Sequence, residues 1–315
     1  DRIMPMLRFF RHGDGNFALF NGMGPTPVDW LATVLAYDDA RGAPVSNAPH
    51  SGYQRLEREN TLILMDAGRP PPMALSAEAH ASCLAIELSW KQQRLVVNCG
   101  LPAVNKENWR QVARGTPAHS TVTFNDASSC RFLESRSLKR LLFGVPIVAG
   151  PRDVRVTRDD AADGTALSAS HDGYADVFTV IHHRALYLAR DGRTLEGEDS
   201  FTPAGGDSLP VAKDDEFAVR FHLHPSIKAN RLSDGRGVIL LLPDREVWTF
   251  TSYAQGGVRI EESVFLSGPD GPRRTVQIVI YGHARSERAV RWSFRHTPPA
   301  PGTRPERADE PELPL

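Results

Sequence analysis

Ala79-His-Ala-Ser-Cys-Leu-Ala-Ile-Glu-Leu88, Arg94-Leu-Val-Val-Asn-Cys-Gly100 and Ala118-His-Ser-Thr-Val-Thr-Phe-Asn125 are short apolar runs with polar residues at their ends. Runs of this length, rich in β-branched residues and closed by Asn or Gly, read as strands. His80 opens the first, Asn98 closes the second and His119 opens the third. Brought to one edge of a sheet, the three would form a small metal or anion site. Imidazoles suit Zn2+, with the Asn98 amide oxygen a weaker third ligand. The bland alternative is that each histidine bonds a strand-end backbone group, and spacing alone leaves both readings open.

The same punctuation continues outward. From Tyr53-Gln-Arg-Leu-Glu-Arg58 and Thr61-Leu-Ile-Leu-Met-Asp66 to Ala289-Val-Arg-Trp-Ser-Phe294, apolar runs alternate with Gly, Pro, Asn and Asp clusters. Strands are expected at 83–90, 94–98, 120–124, 166–170, 176–182, 185–189 and 194–201, among others. Asp191-Gly192 marks a hairpin tip, since Gly tolerates positive φ. The fold class is all-β, a large antiparallel β-sandwich of two stacked sheets. Only the first 40 residues carry a helical period: Val28, Trp30, Leu31, Val34, Leu35 and Tyr37 form an apolar face, with a stop at Asp38-Asp39 and Arg41-Gly42. The expected organisation is a helical segment over 1–45, a sandwich over 46–297 and a disordered tail over 298–315, too poor in apolar residues to order itself. The opening at Asp1, amid an amphipathic segment with no leading Met, suggests a processed or truncated polypeptide.

Composition bounds the function. With 315 residues, 41% of them apolar, the chain is long enough for a sizeable core. Thirty-seven basic against 38 acidic residues give no global field that would select nucleic acid or an anionic membrane. No apolar run approaches the roughly 20 residues of a membrane helix. Cys83, Cys99 and Cys130 are odd in number and unrelated in spacing, so buried thiols are expected rather than disulfides or a zinc knuckle.

Three further groupings carry chemistry. Ser170-His171-Asp172-Gly173-Tyr174 reads as a turn that brings an imidazole near a phenol, a pair suited to proton transfer or simply to turning the chain. In Phe217-Ala-Val-Arg-Phe-His-Leu-His224, strict alternation puts Arg220, His222 and His224 on one face, favouring a polar sheet face over a chelating histidine pair. His50-Ser-Gly-Tyr53-Gln-Arg55 places Tyr53 and Arg55 on one side of a strand start. No Gly-rich phosphate loop precedes a helix.

The blocks quoted at the outset resemble the carboxyl-terminal region of heparinase II/III-like polysaccharide lyases, where the usual forms are His-x-His-x-Asp, Leu-Val-Asp-x-Gly and Ala-His-Asn-Thr-Val. The likeness covers roughly 50–200, and residues 1–40 resemble the last helices of the α/α toroid that precedes the sandwich in that family. It implies a structural Zn2+ held by His80, Asn98 and His119. It also implies β-elimination at a uronic acid of an acidic polysaccharide such as a glycosaminoglycan. There a base takes the proton α to the carboxylate, cationic or hydrogen-bonding groups neutralise the carboxylate, and an acid protonates the leaving oxygen. The expected catalytic residues here are His171 and Tyr174, with Glu78, Tyr53 and Arg55 binding substrate. Three positions depart from the family pattern: Glu78 for the first histidine, Ser82 for the Asp, and Asn98 for the acidic ligand. The resemblance further implies a toroid of the same protein as partner, much of the catalysis lying in it, and a periplasmic or cell-envelope location. A non-catalytic carbohydrate-binding or scaffold module of the same fold is the alternative.

Overall fold

The computed structural model describes residues 3–37, 42–103, 107–133, 145–205 and 215–298. Within them the alternation becomes two antiparallel sheets. The first runs β1 (Asn47–Ala48), β2 (Tyr53–Arg58), β3 (Thr61–Asp66), β4 (Ile86–Trp90), β5 (Gln93–Val97), β13 (Glu216–Leu223), β18 (Arg273–His283) and β17 (Val258–Phe265), with β6 (Val122–Phe124) also pairing β13. The second runs β14 (Lys228–Arg231), β15 (Gly237–Leu241), β16 (Val247–Ser252), β19 (Ala289–Thr297), β12 (Thr194–Pro203), β11 (Val180–Ala189), β10 (Gly164–Tyr174) and β9 (Val154–Asp160). A small ribbon pairs β7 (Arg131–Phe132) with β8 (Ile147–Ala149).

Strand β13 shows how the layers form. Its odd-numbered residues Phe217, Val219, Phe221 and Leu223 enter the main core between the sheets. There Phe221 meets Phe250, Trp292 and Phe294 at 4.7 to 5.4 Å between ring centroids. The even-numbered Arg220 and His222 are buried as well, because the outer face of the first sheet is covered. Strand β3 carries the same signature: Ile63 and Met65 join the main core, while Leu62 and Leu64 pack with Phe9, Ala18, Phe20 and Tyr53. A strand covered on both faces loses its polar alternation, which is why β3 is apolar almost throughout.

The covering layer starts with helix α1 (Ile3–Phe9), whose last carbonyl accepts a 2.8 Å hydrogen bond from Arg55 Nη1. Helix α2 (Val28–Ala36) matches the expected period, but only Leu31 is buried, while Trp30 and Tyr37 are 80% and 84% exposed. The expected helix stop over 38–41 and the tail beyond 298 lie outside the described residues. Helix α3 (Glu107–Arg114) lies where no helical period was expected, because three apolar residues, Trp109, Val112 and Ala113, are too few to mark one; of the three only Ala113 is buried.

Three local expectations are corrected. The stretch read as a turn at His171 and Tyr174 is the end of β10, with a register shift between those residues where β10 pairs β11. The strand expected from Asp176 opens instead as a one-turn helix, Ala175–Phe178, closed by Thr179 at a left-handed φ of 53°. The strand expected from Cys83 starts only at Ile86, since Leu84 sits at φ 60°. The hairpin tip at Asp191-Gly192 forms as read, with Gly192 at φ 65°. All three cysteines are free and buried. No helix among the described residues is long and apolar enough to cross a membrane.

Candidate functional site

His80 and His119 do meet. Neither begins a strand: His80 lies in the loop before β4, and His119 follows a 3-10 turn at Thr116–Ala118. Arg114 holds the first loop in place, its guanidinium donating to the carbonyls of Ser76, Ala79 and Val145. His80 Nδ1 is 3.1 Å from His119 Nε2 and the rings pack edge to face. The tautomers follow from the partners. His119 Nδ1 faces the Gly115 carbonyl at 2.8 Å and so carries the proton. His119 Nε2 is then the acceptor, His80 Nδ1 the donor, and His80 Nε2 a bare lone pair, buried with no partner among the described residues. Burial holds both imidazoles neutral, pushing His119 down to about 4 and His80 well below its ordinary value, the latter helped by His119 and Arg114.

Asn98 adjoins this pair through Ser120, whose N–H its Oδ1 accepts at 2.9 Å, while its Nδ2 donates to Glu87 Oε1 at 3.0 Å. Two imidazole nitrogens 3.1 Å apart are near the spacing that two ligands of a tetrahedral zinc take, roughly 3.3 Å for Zn–N of about 2.0–2.1 Å. Charge decides against the fit. The third residue is a neutral amide already engaged at both ends, and no group of three His, Cys, Asp or Glu able to hold a metal gathers among the described residues. Arg114 adds positive charge beside His80. A dication buried there without an anionic ligand would carry an uncompensated desolvation cost of several kcal/mol. His80, Asn98 and His119 as they stand do not fit zinc.

The expected catalytic pair lies elsewhere. His171 and Tyr174 are each 1% exposed, within the sandwich rather than on a surface turn. Tyr174 donates to the Val122 carbonyl at 2.7 Å, and burial raises its pKa. His171 accepts the Gly173 N–H on Nδ1 and gives its Nε2 proton to His182 Nδ1; His182 Nε2 in turn donates to Asp199 at 2.8 Å. Asp199 also receives a two-pronged bond from Arg184 and the indole N–H of Trp292. Burial would raise the Asp199 carboxyl, but Arg184 and His182 outweigh it and hold it well below the carboxylate range. Every imidazole nitrogen in this chain of bonds is occupied, so it is built to hold the core rather than to move a substrate proton. Arg184 Nη1 links it to the first pair's loops, reaching across the sandwich to the carbonyls of Leu84 and Ser120.

The expected substrate-binding residues divide. Arg55 is buried, spent on the α1 carbonyl and on Glu57. Tyr53 is 7% exposed and accepts from Asn21, whose Oδ1 binds the His80 N–H. Glu78 is at the surface, ion-paired with Arg110 on α3. His222, read as part of a polar face, is fixed between the Pro117 carbonyl and Ser263 Oγ. Sequence reasoning missed Glu87, Asp66, Arg184 and Asp199. Their signal was a charge at an inward-facing position of a strand. Asp66 stands out, since burial raises its carboxyl to about 6 against the bonds from Ser82 and Gly68. A groove of about 1030 Å3 lies among hairpin tips that include Lys91, Asp163, Arg190 and Asp191. These tips are at the far ends of β4 and β5 from His80 and Asn98, and the groove contains none of the expected site residues.

Residues 40–293 match the family model described as Heparinase II/III-like, C-terminal, and the chain belongs to that family. Its sandwich is similar to that of the heparan sulfate lyase HepC of Pedobacter heparinus, with a TM-score of 0.67 at 13% identity, covering 93% of this chain and 46% of that one. A heparinase III crystal structure matches with a TM-score of 0.64 at 11% identity, over 93% of this chain and 47% of that one. These likenesses show the fold. Among curated proteins, FtsZ-localized protein C of Caulobacter vibrioides is 33% identical over 308 residues, 93% of this chain and 51% of that protein. The chain thus spans about half the length of the relatives it matches.

Proposed function

We propose that this chain is the sandwich module of a polysaccharide-lyase-like protein without lyase activity, and works as a scaffold or carbohydrate-binding part. One observation carries the reading: His80, His119, His171 and Tyr174 are all at most 4% exposed, and all but one of their side-chain polar atoms are already bonded within the chain. A general base must reach the proton it takes, directly or through one water. The partner we extend to this module is FtsZ, the association carried in the name of the 33% identical relative. The test uses the full-length protein. Long incubation with heparan sulfate or alginate is expected to yield no unsaturated uronate absorbance, and the protein is expected to co-sediment with FtsZ filaments. Accumulation of unsaturated product would overturn the non-catalytic reading; failure to pellet with filaments would remove FtsZ as the partner.

A second reading is favoured by the fold likeness to heparan sulfate lyases. In it the sandwich is one wall of a cleft whose acid–base groups belong to a preceding toroid, the substrate is a uronic-acid-containing polysaccharide, and the location is periplasmic or at the cell envelope. Product formation by full-length protein, with none from residues 1–315 alone, would select it.

A further inference from the structure

We infer that a buried carboxylate, Glu87, does in this chain the joining work of a structural metal, so that the His80–His119 centre is metal-independent. The inference holds whichever reading of the function is correct. Glu87, the second residue of β4, is 0% exposed, and its two oxygens accept four hydrogen bonds. Oε1 takes the Leu19 N–H at 2.9 Å, the Asn98 N–H at 3.1 Å and the Asn98 Nδ2 at 3.0 Å. Oε2 takes His12 Nε2 at 2.9 Å, and His12 is steadied in turn by Ser89.

The segments a metal would tie together are those of His80, Asn98 and His119. Here Glu87 grips Asn98, Asn98 passes the link to the Ser120 N–H beside His119, and His119 bonds His80 directly. An amide at position 98 suits this arrangement in a way that a carboxylate would not, because its Nδ2 is the donor that Glu87 needs. A carboxylate there would set two like charges in contact, and one of them would have to take a proton or be neutralised by a cation. The anionic charge of the centre therefore resides on the strand, at Glu87, and is met by hydrogen-bond donors rather than by a metal.

Asn98→Asp separates the two designs. The wild-type chain is expected to purify without stoichiometric zinc by elemental analysis, and its Tm is expected to be unmoved by EDTA or by added zinc. Asn98→Asp is expected to lower Tm by roughly 5 °C or more without metal, and zinc alone should raise it again, since the new carboxylate completes a set of two imidazoles and an anion. Glu87→Gln is expected to lower Tm with no recovery on adding zinc. One zinc per wild-type chain whose removal lowers Tm would overturn the inference, as would an Asn98→Asp chain as stable as wild type without metal. If Asn98→Asp does not fold, the wild-type chelation result and Glu87→Gln still decide.

Discussion

Arg184 shows how much one residue holds in this sandwich. It pairs with Asp199 on the neighbouring strand and spends its remaining nitrogen on two carbonyls of the opposite sheet's loops, Leu84 and Ser120. Both partners are 0% exposed, so truncation leaves a buried carboxylate with only His182 and Trp292 and strips two carbonyls of their donor. Arg184→Leu is expected to cost about 3–5 kcal/mol in chemical denaturation. Replacing Arg184 and Asp199 together by apolar residues of similar volume should cost clearly less than Arg184→Leu alone. Equal losses would mean that the ion pair is not what matters. A residue-level reading of the sequence paired Tyr174 with His171, and their rings do lie 5.5 Å apart at the centroids. Sequence did not reveal that each has its own partner in the core, because a hydrogen bond from Tyr174 to Val122 spans 52 positions that no local pattern records.

At the scale of elements, β12 and β19 illustrate a close approach that only small residues allow. Gly197 pairs with Trp292, and a Cβ at position 197 would fall 2.2 Å from the Trp292 ring. Gly197→Ala must therefore displace the indole that donates to Asp199, an overpacking cost of about 1–3 kcal/mol, checked by urea unfolding together with the near-ultraviolet circular dichroism of Trp292. A native signal with unchanged stability would show that the ring shifts at no cost. Strand positions were largely legible because alternation is a local property. Helix α3 was not, because a short polar helix is stabilised by where it docks rather than by its own stripe. The apolar face of α2 was legible as a period, yet its exposure at Trp30 and Tyr37 depends on which surfaces lie nearby.

For the whole molecule, burial of titratable groups sets a pH dependence with two opposed limbs. His119 is pushed down to about 4 and His222 to about 3, chiefly by burial. Their unfolded imidazoles bind protons below about 6.5 that the folded ones do not, so their contribution is full above that pH and is lost as pH falls towards 4 and 3. Asp66 acts oppositely. Raised to about 6, it stabilises fully below its unfolded value near 3.8 and loses that contribution as pH rises through 6. Between pH 4 and 7 the stability of Asp66→Asn relative to wild type is expected to rise by something on the order of 3 kcal/mol, while that of His119→Gln falls. A difference that stays constant across denaturant titrations at these pH values would contradict the assignment.

The sequence by itself determined the all-β class, the alternation that builds each strand and the hairpin tip at Asp191-Gly192, since each rests on local periodicity or turn chemistry; whether His80 and His119 meet it left open. Tertiary structure alone decided what those histidines can do. Whether an imidazole is a ligand, a base or a core strut depends on burial and on the partners that distant strands bring to it. In this chain Glu87 from β4 and Arg184 from β11 tie the polar residues of the expected site into two buried hydrogen-bond networks.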